Sequence, residues 1–262
     1  MTFSFIHFSD HHLGSSKNDL IKGIPTAERF EKVLQHINAN HPDIDFLISS
    51  GDITGLNNQD SYAFISKFLG IEKAPLLNKP AKINSCGLKN MPIYCLPGNN
   101  DDRSMFYETF FTCSPQPRMD LFFDYKNIRI IFIDWGEDAR AVSTSNTYNF
   151  LNDAMNTQLP ILIFMHHSIV PIGCSWLDSL LPEDCELFSQ KIQNKGVKGV
   201  FCGHLHNTYE IRSGEVPVYG IRSTAFQFPR KSEPAISPDA PHYRLVKVDQ
   251  GNITTSVIEV PV

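Results

Sequence analysis

The chain has 262 residues, 42% of them apolar and 19% charged, with a net charge of −5. This length is near the upper end of what one hydrophobic core supports, so a single domain over residues 1–262 is expected. The acidic balance excludes a nucleic-acid polymer as the main partner, since that footprint is a basic face. No run approaches the ~18 apolar residues of a membrane span, so no membrane partner is expected.

The chain opens on MTFSFIHFSD, without a basic segment leading into an apolar one, so no signal peptide is expected. Its six cysteines include no C-x-x-C pair and read as reduced thiols of a cytoplasmic protein. Residues 3–8 (FSFIHF) are a short apolar run ending in Ser-Asp, as in a buried strand. Over 25–40, Phe30, Val33, Leu34 and Ile37 recur at helical spacing behind Pro25, which suits a first helical turn. A second strand is expected over 44–52, then a helix over 61–70 with Gly70 as its C-cap.

Residues 71–90 are rich in Lys, Pro and Asn, lack a period, and read as a connector. A third strand running into a turn is expected over 91–99. Residues 119–136 read as a hairpin whose second strand, apolar throughout, should be central. Further strands are expected at 159–167, 197–206, 215–221 and 243–260, the last turning at Gln250-Gly251-Asn252. Helices alternate with strands in the first half and strands dominate the second. The fold class is therefore α/β (α+β), two packed sheets flanked by helices. The long Pro-rich segment 228–241 is expected to serve as a functional lid.

Chemistry concentrates where these strands end. Asp10 and His12 follow the first, Asp52 the second, Asn99 the third, His166 and His167 a later one, and His204 and His206 another. In open sheets, the crevice beyond the carboxyl ends of the strands binds ligands. Each residue alone has an ordinary reading, Asp10 as a cap and Asp52 or Asn99 as a turn residue. Turn propensity does not account for all five strand ends together. The i, i+2 spacing of Asp10 with His12 and of His204 with His206 would point each pair to one side of an extended segment. Mixed nitrogen and oxygen donors suit first-row divalent metals, and Asp52 as a shared ligand would allow two ions ~3.5–4 Å apart. Gly51, Gly98 and Gly203, preceding Asp52, Asn99 and His204, are expected to permit sharp turns.

These blocks together resemble the calcineurin-like metallophosphoesterase superfamily. Its D-x-H, GD, GN-x-[D/E], H and GH-x-H appear in order as Asp10-His11-His12, Gly51-Asp52, Gly98-Asn99-Asn100-Asp101, His166 and Gly203-His204-Leu205-His206. The stretches 174–192, 223–228 and 240–249 are further similar to class III cyclic nucleotide phosphodiesterases. The resemblance implies a four-layer αββα sandwich of two mixed β-sheets flanked by helices. It implies one metal on Asp10, His12 and His206, another on Asn99, His166 and His204, and Asp52 as the bridge. Manganese or iron would suit these ligands, with zinc acceptable. A hydroxide activated by the metals would attack phosphorus in line with the leaving oxygen.

The favoured substrate is a 3′,5′-cyclic nucleotide such as cyclic AMP. Other small diesters, and a metal-binding module with impaired turnover, are the alternatives, and a homodimer is possible because relatives include dimers. Asn100 and His167 would be the groups nearest the reacting phosphate, with Trp176 and the 223–241 loop walling the base and ribose. His7, His11, His36, His41 and His242 read as structural. The sequence departs from the family at Asn100, where many relatives carry His. An amide donates a hydrogen bond but not a proton. It departs again at Ser168-Ile169, where relatives often have proline.

Overall fold

A computed structural model of the chain describes residues 2–140 and 143–262. In chain order, the first half comprises β1 (Thr2–Phe8), α1 (Thr26–Asn40), β2 (Phe46–Ser49), α2 (Gln59–Leu69), β3 (Ala81–Ile83), β4 (Met91–Cys95), α3 (Arg103–Phe110), β5 (Leu121–Tyr125) and β6 (Ile128–Ile133). There follow α4 (Ser145–Ala154), β7 (Ile161–Met165), α5 (Ser175–Asp178), α6 (Cys185–Ile192), β8 (Val197–Cys202), β9 (Tyr209–Ser213), β10 (Val216–Gly220), β11 (His242–Asp249) and β12 (Asn252–Glu259).

The strands form two mixed sheets of six, ordered β12-β11-β1-β2-β4-β3 and β5-β6-β7-β8-β10-β9. In the first, β1, β2 and β4 run parallel, and in the second β6, β7, β8 and β10 do. Burial on both faces explains why β7, and β6 apart from Arg129, are apolar. Ile130, Phe132, Leu162 and Phe164 point into the core between the sheets. Ile131, Ile133, Ile161 and Ile163 face outward, against Leu151 of α4 and Phe188 and Ile192 of α6. Between the sheets, Phe5 meets Phe164 edge-on with ring centroids 5.9 Å apart, and Phe164 stacks on Phe201 at 4.7 Å. Phe30, Val33, Leu34 and Ile37 of α1 are buried with the first sheet, as their helical spacing requires. The result is the four-layer αββα arrangement.

Several elements differ from the sequence expectation. The expected connector 71–90 contains β3, a three-residue edge strand too short to show a period. The expected strand running into a turn over 91–99 is present, with the strand over Met91–Cys95 and loop from Leu96 to Asn99. The strand β6 is interior but not central, standing second from the edge. Helices α3, α4 and α6 and strand β9 lack a clear pattern in sequence, all four being ten residues or shorter. The 228–241 segment, expected to be a lid, is tied down: the buried Arg29 guanidinium donates to the carbonyls of Ala225, Pro238 and Asp239. Among the described residues no helix is long and apolar enough to cross a membrane.

Candidate metal centre

The parallel strands β1, β2, β4, β7 and β8 bring their carboxyl ends to one edge, and the seven proposed ligands lie on the loops leaving them. The i, i+2 pairs are not extended, as the sequence spacing had suggested. Asp10 (φ 60°), His12 (φ 44°), Asp52 (φ 51°), His204 (φ 64°) and His206 (φ 47°) are all left-handed. Twelve described non-glycine residues have positive φ, and these five are among them. Such backbone costs about 1–3 kcal/mol per residue and persists where surrounding structure enforces it. Here the enforcement is visible. The amides of Asp10 and His12 donate to the carbonyls of Gly51 and Asp52 at 2.9 and 3.0 Å, and His204 N–H donates to the Asp10 carboxylate at 3.1 Å. Of the three preceding glycines only Gly51 has positive φ, at 102°. Gly98 and Gly203 are needed for close approach instead. A Cβ on Gly98 would strike the backbone and carboxylate of Asp52, and one on Gly203 would strike Ser9 and Asp10.

The side chains converge. His206 Nε2 lies 3.2 Å from Asp10 Oδ1 and 3.2 Å from His12 Nε2. His166 Nε2 lies 3.3 Å from Asp52 Oδ1, 3.1 Å from Asn99 Oδ1 and 3.9 Å from Asp10 Oδ1. The two Asp52 oxygens divide between the groups, Oδ1 toward His166 and Oδ2 toward His12 at 3.6 Å. Two clusters of ligand atoms, each within 4.8 Å, result: Asp10, His12 and His206, and Asp10, Asp52 and His166.

The donor set fits cations. His166 and His206 each spend Nδ1 on a backbone carbonyl, of Ser50 at 2.8 Å and Phe226 at 2.6 Å. These contacts orient each ring so that Nε2 faces the cluster. His204 Nε2 is buried and has no hydrogen-bond partner. Burial pushes His12 and His204 down to about 4, so both are neutral, as metal ligation requires. Burial opposes ionisation of Asp10, yet His206 and His166 outweigh it and hold the carboxyl below its usual range. Asp52 is likewise held low, burial being outweighed by His166 and His12. His166 is correspondingly raised to about 9, against burial, by Asp52.

Asn100 lies at the same centre. Its Nδ2 donates to Asp52 Oδ2 at 2.6 Å and its backbone N–H to Oδ1 at 2.8 Å. His167 is buried, donates Nε2–H to the Asp138 carbonyl at 3.0 Å, and packs 4.6 Å from the His204 ring. Trp176 lines a cavity of about 210 Å³ with His12, Asp52, Asn99, Asn100, His204 and His206. His11 stacks on Phe30 at 4.1 Å and bonds Ser49 and Thr224, a structural role. His7 is bonded to Ser50 and buried between the sheets.

Two supports escaped sequence reasoning. The Asp101 carboxylate accepts the N–H groups of Gly98, Ile53 and Thr54, joining the Asp52 and Asn99 loops. Arg103 donates to the carbonyls of Gly98 and Asp101, both at 2.6 Å, and pairs with buried Asp134. The legible sign was a sixth apolar strand, β6, ending in an acid.

The sequence profile of calcineurin-like phosphoesterases matches residues 3–208. A 3′,5′-cyclic-nucleotide phosphodiesterase of Nostoc sp. is 26% identical, covering 100% of this chain and 94% of its own. A glycerophosphodiester phosphodiesterase of Enterobacter lignolyticus is 25% identical over 85% of this chain and 78% of its own. A dimetal phosphatase structure from Danio rerio shares the fold, with a TM-score of 0.59 and 12% identity over 99% of both chains. The chain belongs to the calcineurin-like phosphoesterase family.

Proposed function

We propose that the chain is a dinuclear metal-dependent phosphodiesterase of 3′,5′-cyclic nucleotides, with cyclic AMP the first substrate to test. The observation that carries this reading is Asp52, whose two oxygens face two separate imidazoles, beside a cavity with apolar walls. Asp10, His12 and His206 would hold one ion, Asn99, His166 and His204 the other, and Asp52 both. Manganese and iron suit this set. Bound cations would lower the pKa of water and neutralise phosphoryl charge.

The chain's own residues supply the rest. The carbonyls of Ser50 and Phe226 fix the imidazoles of His166 and His206. Asn100 holds the Asp52 carboxylate through its backbone and side-chain donors. His167, braced by Asp138, supports the ring of His204. Trp176, Phe226 and Phe228 give the cavity aromatic faces on which a base can stack. Hydrolysis consumes one water, breaks the P–O3′ bond and returns a proton to the 3′ oxygen, leaving a 5′-nucleotide. A cytoplasmic location accords with such a substrate.

Asp52→Ala and His204→Ala should each lower Mn²⁺-dependent hydrolysis of cyclic AMP by more than ~100-fold, beyond the loss typical of an outer partner. Wild-type turnover in either variant would refute the assignment. The Enterobacter relative supports a second reading, hydrolysis of glycerophosphodiesters, which kcat/KM across both diesters would decide.

A further inference from the structure

The cavity beside the metal centre is lined by one Lys or Arg side chain, Lys22. It lies outside every family block and is placed by unusual backbone. Ile21 and Ile24 exchange both backbone hydrogen bonds at 3.0 Å, so Lys22 and Gly23 are the central residues of a two-residue hairpin turn. Both have positive φ, 52° and 79°, as a type I′ turn requires. Asn, Asp or Gly normally takes the first of these positions, because a long side chain there is strained. Lys126 takes the equivalent place between β5 and β6, with φ 52°, and there its ammonium pairs with Asp45 at 2.8 Å.

Lys22 is an exposed residue whose side chain lines this cavity. Lys22 Nζ lies 5.8 Å from the centroid of the Phe226 ring. The same ring stacks on His12 at 4.9 Å, and the Phe226 carbonyl holds His206 Nδ1. Among the described residues no carboxylate is within ion-pair distance of Lys22, whereas the nearby Lys17 is paired with Glu31 at 2.7 Å. We propose that Lys22 binds a non-bridging phosphoryl oxygen of the diester and so sets the site's preference for an anionic substrate. This rests on the phosphodiesterase reading above. The ammonium supplies a cationic donor, which the amide of Asn100 is not.

Three variants of the metal-loaded protein test this, on cyclic AMP and on bis(p-nitrophenyl) phosphate. Lys22→Asn removes the charge while suiting the turn, Lys22→Arg keeps the charge, and Lys17→Ala controls for the loop. A lost charge-assisted hydrogen bond should reduce kcat/KM about 10- to 100-fold in Lys22→Asn. The loss should be similar for both diesters, appear mainly in KM, and flatten the salt dependence of KM. Lys22→Arg should stay within about threefold of wild type, and Lys17→Ala should be unchanged. Wild-type kcat/KM in Lys22→Asn would overturn the inference. So would a loss confined to cyclic AMP, which would place Lys22 at the leaving group rather than the phosphoryl oxygens. An inactive wild type would overturn the phosphodiesterase reading, and this inference with it.

Discussion

Asn100 donates two hydrogen bonds to Asp52, one from its backbone and one from its side-chain amide, so it has a structural task at the centre. It cannot also release a proton to the leaving alkoxide. Asn100→His introduces a group that titrates near neutrality and retains an N–H to donate. General acid help is typically worth ~10²–10⁴-fold. The variant should therefore raise kcat at least ~10-fold for cyclic AMP, whose leaving group is a poor alkoxide. It should leave bis(p-nitrophenyl) phosphate, whose leaving group departs unaided, nearly unchanged. Unaltered kcat on both substrates would mean that the leaving oxygen receives its proton from another source.

Among the elements, β6 shows how support for the site is built beyond the ligands. Asp134, just past its end, takes Arg103 in a buried pair and accepts the N–H groups of Met119 and Gly136. Arg103 carries that connection to the Gly98 and Asp101 carbonyls, on either side of Asn99 and Asn100. One partner without the other would leave a buried charge uncompensated. The Asp134 N–H donates in turn to Asp120, whose carboxyl burial raises from 3.8 to about 7. Between those values the folded chain binds a proton that the unfolded chain has released, so this group makes stability fall as pH rises from about 4 to about 7. Asp120→Asn should remove that slope. Urea midpoints at pH 5 and pH 7.5 measure it: wild type should lose more stability than the variant between them, and equal losses would contradict the assignment.

These supports explain why sequence reveals the ligands more readily than their setting. Asp10, His12, Asp52, Asn99, His166, His204 and His206 stand out because few residue types can serve as donors and each follows an apolar run. The left-handed backbone at five of them leaves no such mark, because it comes from pairing between loops distant in the chain. The same holds for Arg103 with Asp134, which lie 31 residues apart and follow strands of different sheets. Strand β3 and helix α3 escape because three and eight residues carry too little period to read.

At the scale of the whole molecule, the fold assembles the ligand set from both sheets. Asp10, His12, Asp52 and Asn99 come from the ends of β1, β2 and β4, and His166, His204 and His206 from those of β7 and β8. Neither sheet supplies all the donors, so the packing of Phe5 on Phe164 across the core also sets the distance between the two groups of ligands. The architecture was legible from the strand ends and from the order of the five blocks, while the sheet order was not. The central claim is that hydrolysis depends on metal held by these side chains. The rate of cyclic AMP hydrolysis, measured before exhaustive chelation, after it, and after Mn²⁺ is restored, tests that claim most directly. The account predicts loss of the activity and its recovery; an undiminished rate in the chelated protein would contradict it.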